Sequence, residues 1–160
     1  MDRSTDLRLP TFAVPVRLAL VGHDVAPAEL FVAAEAGRGR TDLIDDIVAL
    51  LDMAASFLPV RAHARIRLLG KHAVAWVAVA RTEEPSEVVT LYDRQHRVEI
   101  ELVAGTRLLG TLLDSLPADQ PRVIDHLNRA TSFVRLWTPQ EHILINRAQI
   151  VCVTELPGSD

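Results

Sequence analysis

Residues 47–79, IVALLDMAASFLPVRAHARIRLLGKHAVAWVAV, and residues 123–155, VIDHLNRATSFVRLWTPQEHILINRAQIVCVTE, align without a gap at a shift of 76 positions. Leu51, Ala54, Ser56, Phe57 and Leu68 meet Leu127, Ala130, Ser132, Phe133 and Leu144. The apolar spacing agrees around these identities: Val60 meets Leu136, Leu69 meets Ile145, Val74 meets Ile150 and Val77 meets Val153. The chain therefore reads as two copies of one small unit, and that reading governs the fold.

Upstream of the aligned stretches the pattern has period two. Val98, Ile100 and Leu102 alternate with Arg97, Glu99 and Glu101, as Val16, Leu18 and Leu20 alternate with Arg17 and Ala19. Each set predicts a strand with one wet face. Turns are expected at Gly22-His23-Asp24 and Ala104-Gly105, because glycine adopts positive φ at little cost. Gly110 marks a bend or bulge in the next strand. Residues 41–55 carry Leu43, Ile47, Leu50, Leu51 and Ala54 at helical spacing, and residues 123–129 repeat this in shorter form. Gly70-Lys71 and Asn146-Arg147 occupy matched places, as expected of a reversal that needs relaxed φ. The fold class expected is mostly β (α+β), with two similar small β-barrel or curved-sheet modules of the Sm-like or SH3-like kind, each with an inserted helix. The organisation expected is a flexible tail (1–11), a first β-rich repeat (12–80), a linker (81–87), a second repeat (88–156) and a short tail (157–160), with an extra strand at Val88–Leu91.

The 160 residues carry a net charge of -4, a pI near 5.8 and 49% apolar side chains, values suited to a folded protein with no bulk attraction to nucleic acid. No apolar run approaches the length of a membrane span, and the N-terminal stretch has no apolar core of a secretory signal, so a cytoplasmic protein without a membrane partner is expected. Cys152 is the single cysteine, which excludes an internal disulfide. Between Val151 and Val153 it reads as a small buried hydrophobe.

The strand with Val98, Ile100 and Leu102, the turn at Gly105, then Gly110, Leu112, Asp114 and Leu127-Asn128 resemble the first half of an Sm-like small barrel. Ile145-Asn146-Arg147 through Val153 resembles that family's last strand pair. The resemblance covers about residues 97–153 and, more faintly, 16–79. It implies a ring-forming RNA binder with Asn128, Asn146 and Arg147 near the RNA. The Ser115–Leu127 insertion, and the absence of a glycine after Arg147, depart from the family pattern.

Among candidate sites, Asp125, His126 and Asn128 are the densest polar group, but positions 125 and 128 share a helix face while 126 points away. The histidines His23, His63, His72, His96, His126 and His142 are scattered, without metal-ligand spacing. His142 and Cys152 are expected on adjacent strands, a pair too small for a metal site. Arg38 and Arg40 lie between glycines but lack the lysine of a phosphate-binding loop. No catalytic residue, metal or cofactor is assigned. The best basic patch is Arg61, Arg65 and Arg67 with Lys71, alternating along one strand, which suits phosphate or nucleic acid. Trp137 beside Pro139 suits a partner anchor, as does the segment Asp93-Arg94-Gln95-His96, expected as a turn. The function expected is a non-enzymatic interaction or assembly protein acting through a protein partner or further copies of itself. RNA binding, and a small-molecule or enzymatic role for the Asp125 region, are the alternatives.

Overall fold

The alternating stretches form strands in the computed structural model, which describes residues 11–33, 43–81, 94–114, 122–129 and 132–158. The first unit contains β1 (Thr11–Leu20), β2 (Ala26–Ala33), α1 (Leu43–Asp52), β3 (Phe57–Ala62), β4 (Arg65–Gly70) and β5 (Val74–Ala80). The second contains β6 (Arg94–Leu102), β7 (Arg107–Asp114), α2 (Val123–Arg129), β8 (Phe133–Trp137), β9 (Glu141–Asn146) and β10 (Ile150–Glu155). Both units thus have the same order of elements. Their 3-10 turns match as well, at Lys71–Ala73 and Arg147–Gln149.

All ten strands belong to one antiparallel sheet, in the order β10-β6-β7-β8-β9-β5-β1-β2-β3-β4. This overturns the expectation of two closed small barrels, and with it the Sm-like and SH3-like assignments. Within the described residues no ladder joins β4 to β5 or β9 to β10, so neither unit closes. Instead β5 of the first unit pairs with β9 of the second, from Trp76↔Ile145 to Ala80↔Glu141. A backbone edge that one unit leaves unpaired is satisfied by the other.

That junction explains the composition of its strands. β5 reads VAWVAVA and is buried on both faces apart from Ala80, and β9 is almost as deeply buried. Alternate residues feed two cores on opposite sides of the sheet. Val74, Val77, Val79, Leu144 and Phe133 enter the first core, beneath Ile44, Ile47 and Leu51 of α1. Ala75, Trp76, Ala78, Ile143 and Ile145 enter the second, with Val98, Ile100, Leu112 and Leu136. Each core therefore contains side chains lent by the other unit, and strands covered on both faces lose the wet alternate positions that mark β1 and β6.

Several local expectations are corrected. Helix α1 is shorter than residues 41–55, and Ile44 rather than Leu43 is its fully buried first-turn residue. Gly70 and Asn146 have φ of -68° and -61°, so neither supplies a left-handed turn. At Gly70 a Cβ would lie 2.6 Å from Cε1 of His72, and the glycine leaves room for that imidazole. Asn146 instead uses its side chain: its amide donates to the Val74 carbonyl at 2.9 Å, and its Oδ1 accepts from the Ala148 N–H at 3.1 Å. The turns at Gly22 and Gly105 do have positive φ, 77° and 87°. Gly110 lies where β7 crosses close to β8, since a Cβ would stand 2.7 Å from both Leu136 Cγ and the Trp137 carbonyl oxygen. Arg94, Gln95 and His96 are strand residues of β6 rather than a turn. The segments carrying Arg38, Arg40, Asp93 and Val88–Leu91 lie outside the described residues.

Candidate functional site: the two free edges of the sheet

The internal junction shows what a covered edge looks like in this fold. Directly opposed residues are Trp76↔Ile145, Val77↔Leu144 and Ala78↔Ile143. Outside the ladder, Arg17 on β1 reaches over β5 to Glu141 on β9, its Nε donating to Oε2 at 2.9 Å. The same guanidinium lies 5.3 Å above the Trp76 ring. Hydrogen bonding to the Glu141 carboxylate, with the attraction of its charge, raises the Arg17 pKa above its ordinary value against the opposing effect of burial. Across the same junction Arg135 of β8 meets Asp45 of α1 at 3.4 Å, which places α1 over the incoming strand.

Among the described residues the outer strands are β4 and β10, and each has one ladder partner, β3 and β6 respectively. Their sequences, RIRLLG and IVCVTE, should be compared with those of the covered strands, EHILIN and VAWVAVA. Leu144 is 0% exposed, whereas its counterpart Leu68 is 70% exposed. Phe133 is 5% exposed and its counterpart Phe57 is 61% exposed. Ile66, the counterpart of buried His142, is exposed too. These three residues share a face, because Phe57 lies opposite Gly70, two positions from Leu68, and Leu68 is two from Ile66. Phe57, Ile66 and Leu68 therefore form an apolar patch at one end of the sheet.

The other end lacks the cover that the first unit receives. By the same shift, Val48 and Leu51 of α1 correspond to Ile124 and Leu127 of α2. Leu51 is fully buried and Val48 packs against its core, whereas Leu127 is half-buried and Ile124 exposed. On β10, Val151 is exposed and Cys152 is exposed as well, which corrects its expected burial. Cys152 lies opposite Glu101, on the face of β10 turned away from the second core against which Val153 packs. Cys152 Sγ contacts Glu101 Oε2 at 3.9 Å. His142 does not lie beside it, since β9 and β10 are separated by β6, β7 and β8.

The residues singled out in the sequence are dispersed over this frame. His63-Ala64 is the β3–β4 hairpin turn, both at positive φ. Arg61 therefore belongs to β3, while Arg65 and Arg67 belong to β4. Opposed pairs Arg61↔Ile66 and Val60↔Arg67 put Arg61 on one face of the sheet and Arg65 and Arg67 on the other. Arg61 is also engaged, pairing with Glu29 at 2.8 Å and stacking 5.1 Å over Phe31. Lys71 donates to the Met53 carbonyl at 2.6 Å and, with His72, lines a cleft shared with Phe133 and the buried Asn146. Asn128 is exposed near the end of α2, and Arg147 donates to the Leu127 carbonyl at 3.4 Å. Asp125 is paired with Arg122 at 3.1 Å. Trp137 is half-buried beneath the Arg81 guanidinium, 4.2 Å from the ring, and Arg81 also donates to the Thr138 and Pro139 carbonyls. His96 lies 3.6 Å from Glu155 between β6 and β10. Among the described residues, no three His, Cys, Asp or Glu side chains come close enough to hold a metal. No described helix is long and apolar enough to cross a membrane.

The residues that sequence reasoning passed over as a site are Phe57, Ile66, Leu68 and Ile124. The available signal was the identity of Phe57 with Phe133 and Leu68 with Leu144, which reports that these positions are apolar in both units. No family model, no curated protein and no solved structure matches the chain.

Proposed function

We propose that this protein is a non-enzymatic assembly module that acts through protein–protein contacts at the free edges of its sheet. The observation that carries the reading is the exposed apolar patch formed on one sheet face by Phe57 of β3 with Ile66 and Leu68 of the edge strand β4, at positions that are buried in the other unit. Edge strands of soluble proteins are normally guarded by charge, proline or a covering element. Here Arg65 and Arg67 guard one face of β4 and leave the other apolar. Burying an exposed leucine, isoleucine or phenylalanine contributes roughly 1.5–3 kcal/mol each, so covering the patch offers a gross gain of about 5 kcal/mol before the cost of association.

Light scattering coupled to size exclusion, with absorbance at 260 and 280 nm across the peak, tests this reading. A defined complex free of nucleic acid is the expected result. A chain that stays monomeric and captures no partner refutes it, and a peak that carries RNA assigns the edge to a different ligand.

A further inference from the structure

We infer that the occupant of the free edges is a second copy of this chain, docked so that β4 of one copy and β10 of the next repeat the β5–β9 junction. The inference rests on the assembly reading above and adds a partner, a register and an ion pair. Its basis is that β10 is to the second unit what β5 is to the first, and β4 to the first what β9 is to the second. The likeness extends to irregularities: the β1–β5 ladder shifts register between Val74 and Trp76, and the β6–β10 ladder shifts between the matching residues Ile150 and Cys152.

Carrying the internal register across by 76 residues sets Cys152 opposite Leu69, Val153 opposite Leu68, Thr154 opposite Arg67 and Glu155 opposite Ile66 of the next copy. Leu68 and Phe57 then enter the second core beneath α2, beside Ile124 and Leu127, as Leu144 and Phe133 enter the first beneath α1. Both incompletely covered surfaces are buried by one contact.

The charges agree as well. Glu99 lies opposite Thr154, and Arg17 lies opposite Ala78, so Glu99 holds the place in the second unit that Arg17 holds in the first. Glu141 corresponds to Arg65. The Arg17–Glu141 pair that spans the internal junction thus reappears between copies as Glu99 with Arg65, its sign reversed. Glu101, opposite Cys152, adds a second carboxylate on the same face as Arg65 and Arg67 of the incoming strand. In the single chain Arg107 lies 3.7 Å from Glu99 and 4.0 Å from Glu101. The reversal has a consequence for specificity: an edge bearing Glu99 repels a strand bearing Glu141 and attracts one bearing Arg65. Each copy uses unlike edges, so the contact is heterologous and growth continues until the assembly closes on itself.

Two measurements on the full chain test the register. In sedimentation velocity, Glu99→Arg and Arg65→Glu are each expected to raise the dissociation constant about tenfold or more, and the double variant to return it to within about threefold of the parent. Separately, Leu69→Cys places a thiol opposite Cys152 of the next copy, within the Cα spacing a disulfide needs. It is expected to give covalent dimers and higher species under mild oxidation, whereas Leu68→Cys, directed to the other face, is not. Near-UV circular dichroism of each variant establishes that it is folded. If the parent assembles but the single charge variants associate normally and Leu69→Cys does not crosslink, the register is wrong and the assembly reading survives. A parent that is monomeric up to about 100 µM, a concentration at which even weak contacts are populated, overturns the self-docking inference, and the assembly reading falls with it when the chain also captures no protein partner.

Discussion

Leu68 and Leu144 occupy matched positions on matched strands, so truncating each to alanine compares one side chain in two environments. Leu144 is fully buried in the junction, opposite Val77, in the core capped by α1. Leu144→Ala removes its buried methyl and methylene groups and leaves a cavity between strands that neighbouring backbone holds apart. Such truncations cost about 2–5 kcal/mol, and a value near 3 kcal/mol corresponds to roughly a 150-fold shift in the unfolding equilibrium. Leu68, at 70% exposure, has little to lose in a single chain, and Leu68→Ala should change stability by less than about 0.5 kcal/mol at high dilution. Urea denaturation followed by tryptophan fluorescence is suitable, because Trp76 is buried at this junction. Measured at low and at high protein concentration, Leu144→Ala should show its deficit at both. Leu68→Ala should show one only where chains associate, through loss of mass-action stabilisation. Equal costs at high dilution would refute the reasoning, since they would mean that Leu68 is buried within one chain.

Other consequences follow from particular contacts. Asn146→Ala deprives the buried Val74 carbonyl of its 2.9 Å donor and should cost about 1–3 kcal/mol in a thermal or urea melt, a loss that Asn146→Asp should not restore. Gly110→Ala forces a Cβ to within 2.7 Å of Leu136 Cγ and a backbone oxygen, so a destabilisation of about 1–3 kcal/mol is expected in the same assay. Ala64→Gly should act in the opposite direction. Ala64 has φ of 60° in the β3–β4 hairpin, and glycine there should raise stability by up to about 1 kcal/mol, read as a higher melting temperature.

Much of the local structure was legible from residue patterns. Alternation in Val16–Leu20 and Val98–Leu102 identified β1 and β6, helical spacing located α1 and α2, and Gly22 and Gly105 marked true positive-φ turns. Turn chemistry was less legible at Gly70 and Asn146. Glycine and asparagine are found both where φ is positive and where space or a side-chain hydrogen bond is needed, and the structure uses the second pair of reasons. The basic patch failed for a related cause. Arg61, Arg65 and Arg67 alternate in sequence, but the reversal at His63-Ala64 carries Arg61 to the opposite face. Cys152 between two valines resembled core because an unbroken apolar run does not state which face of its strand is buried.

By itself the sequence determined that the chain is built twice from one β-rich unit, since a 76-residue periodicity of apolar positions survives wherever both copies bury the same side chains. It also held a trace of the sheet's centre, in that VAWVAVA lacks the polar alternation of a strand with a wet face. Only the tertiary structure decided that the units share one open sheet, that β5 seeks β9 and not β4, and that β4 and β10 are left at the ends. The physical reason is that strand pairing is made by backbone N–H and C=O groups, which are the same at every residue. Side-chain pattern fixes which face of a strand is buried; the choice of neighbour comes from long-range packing, here Trp76, Phe133 and Leu144 each filling the core of the other unit.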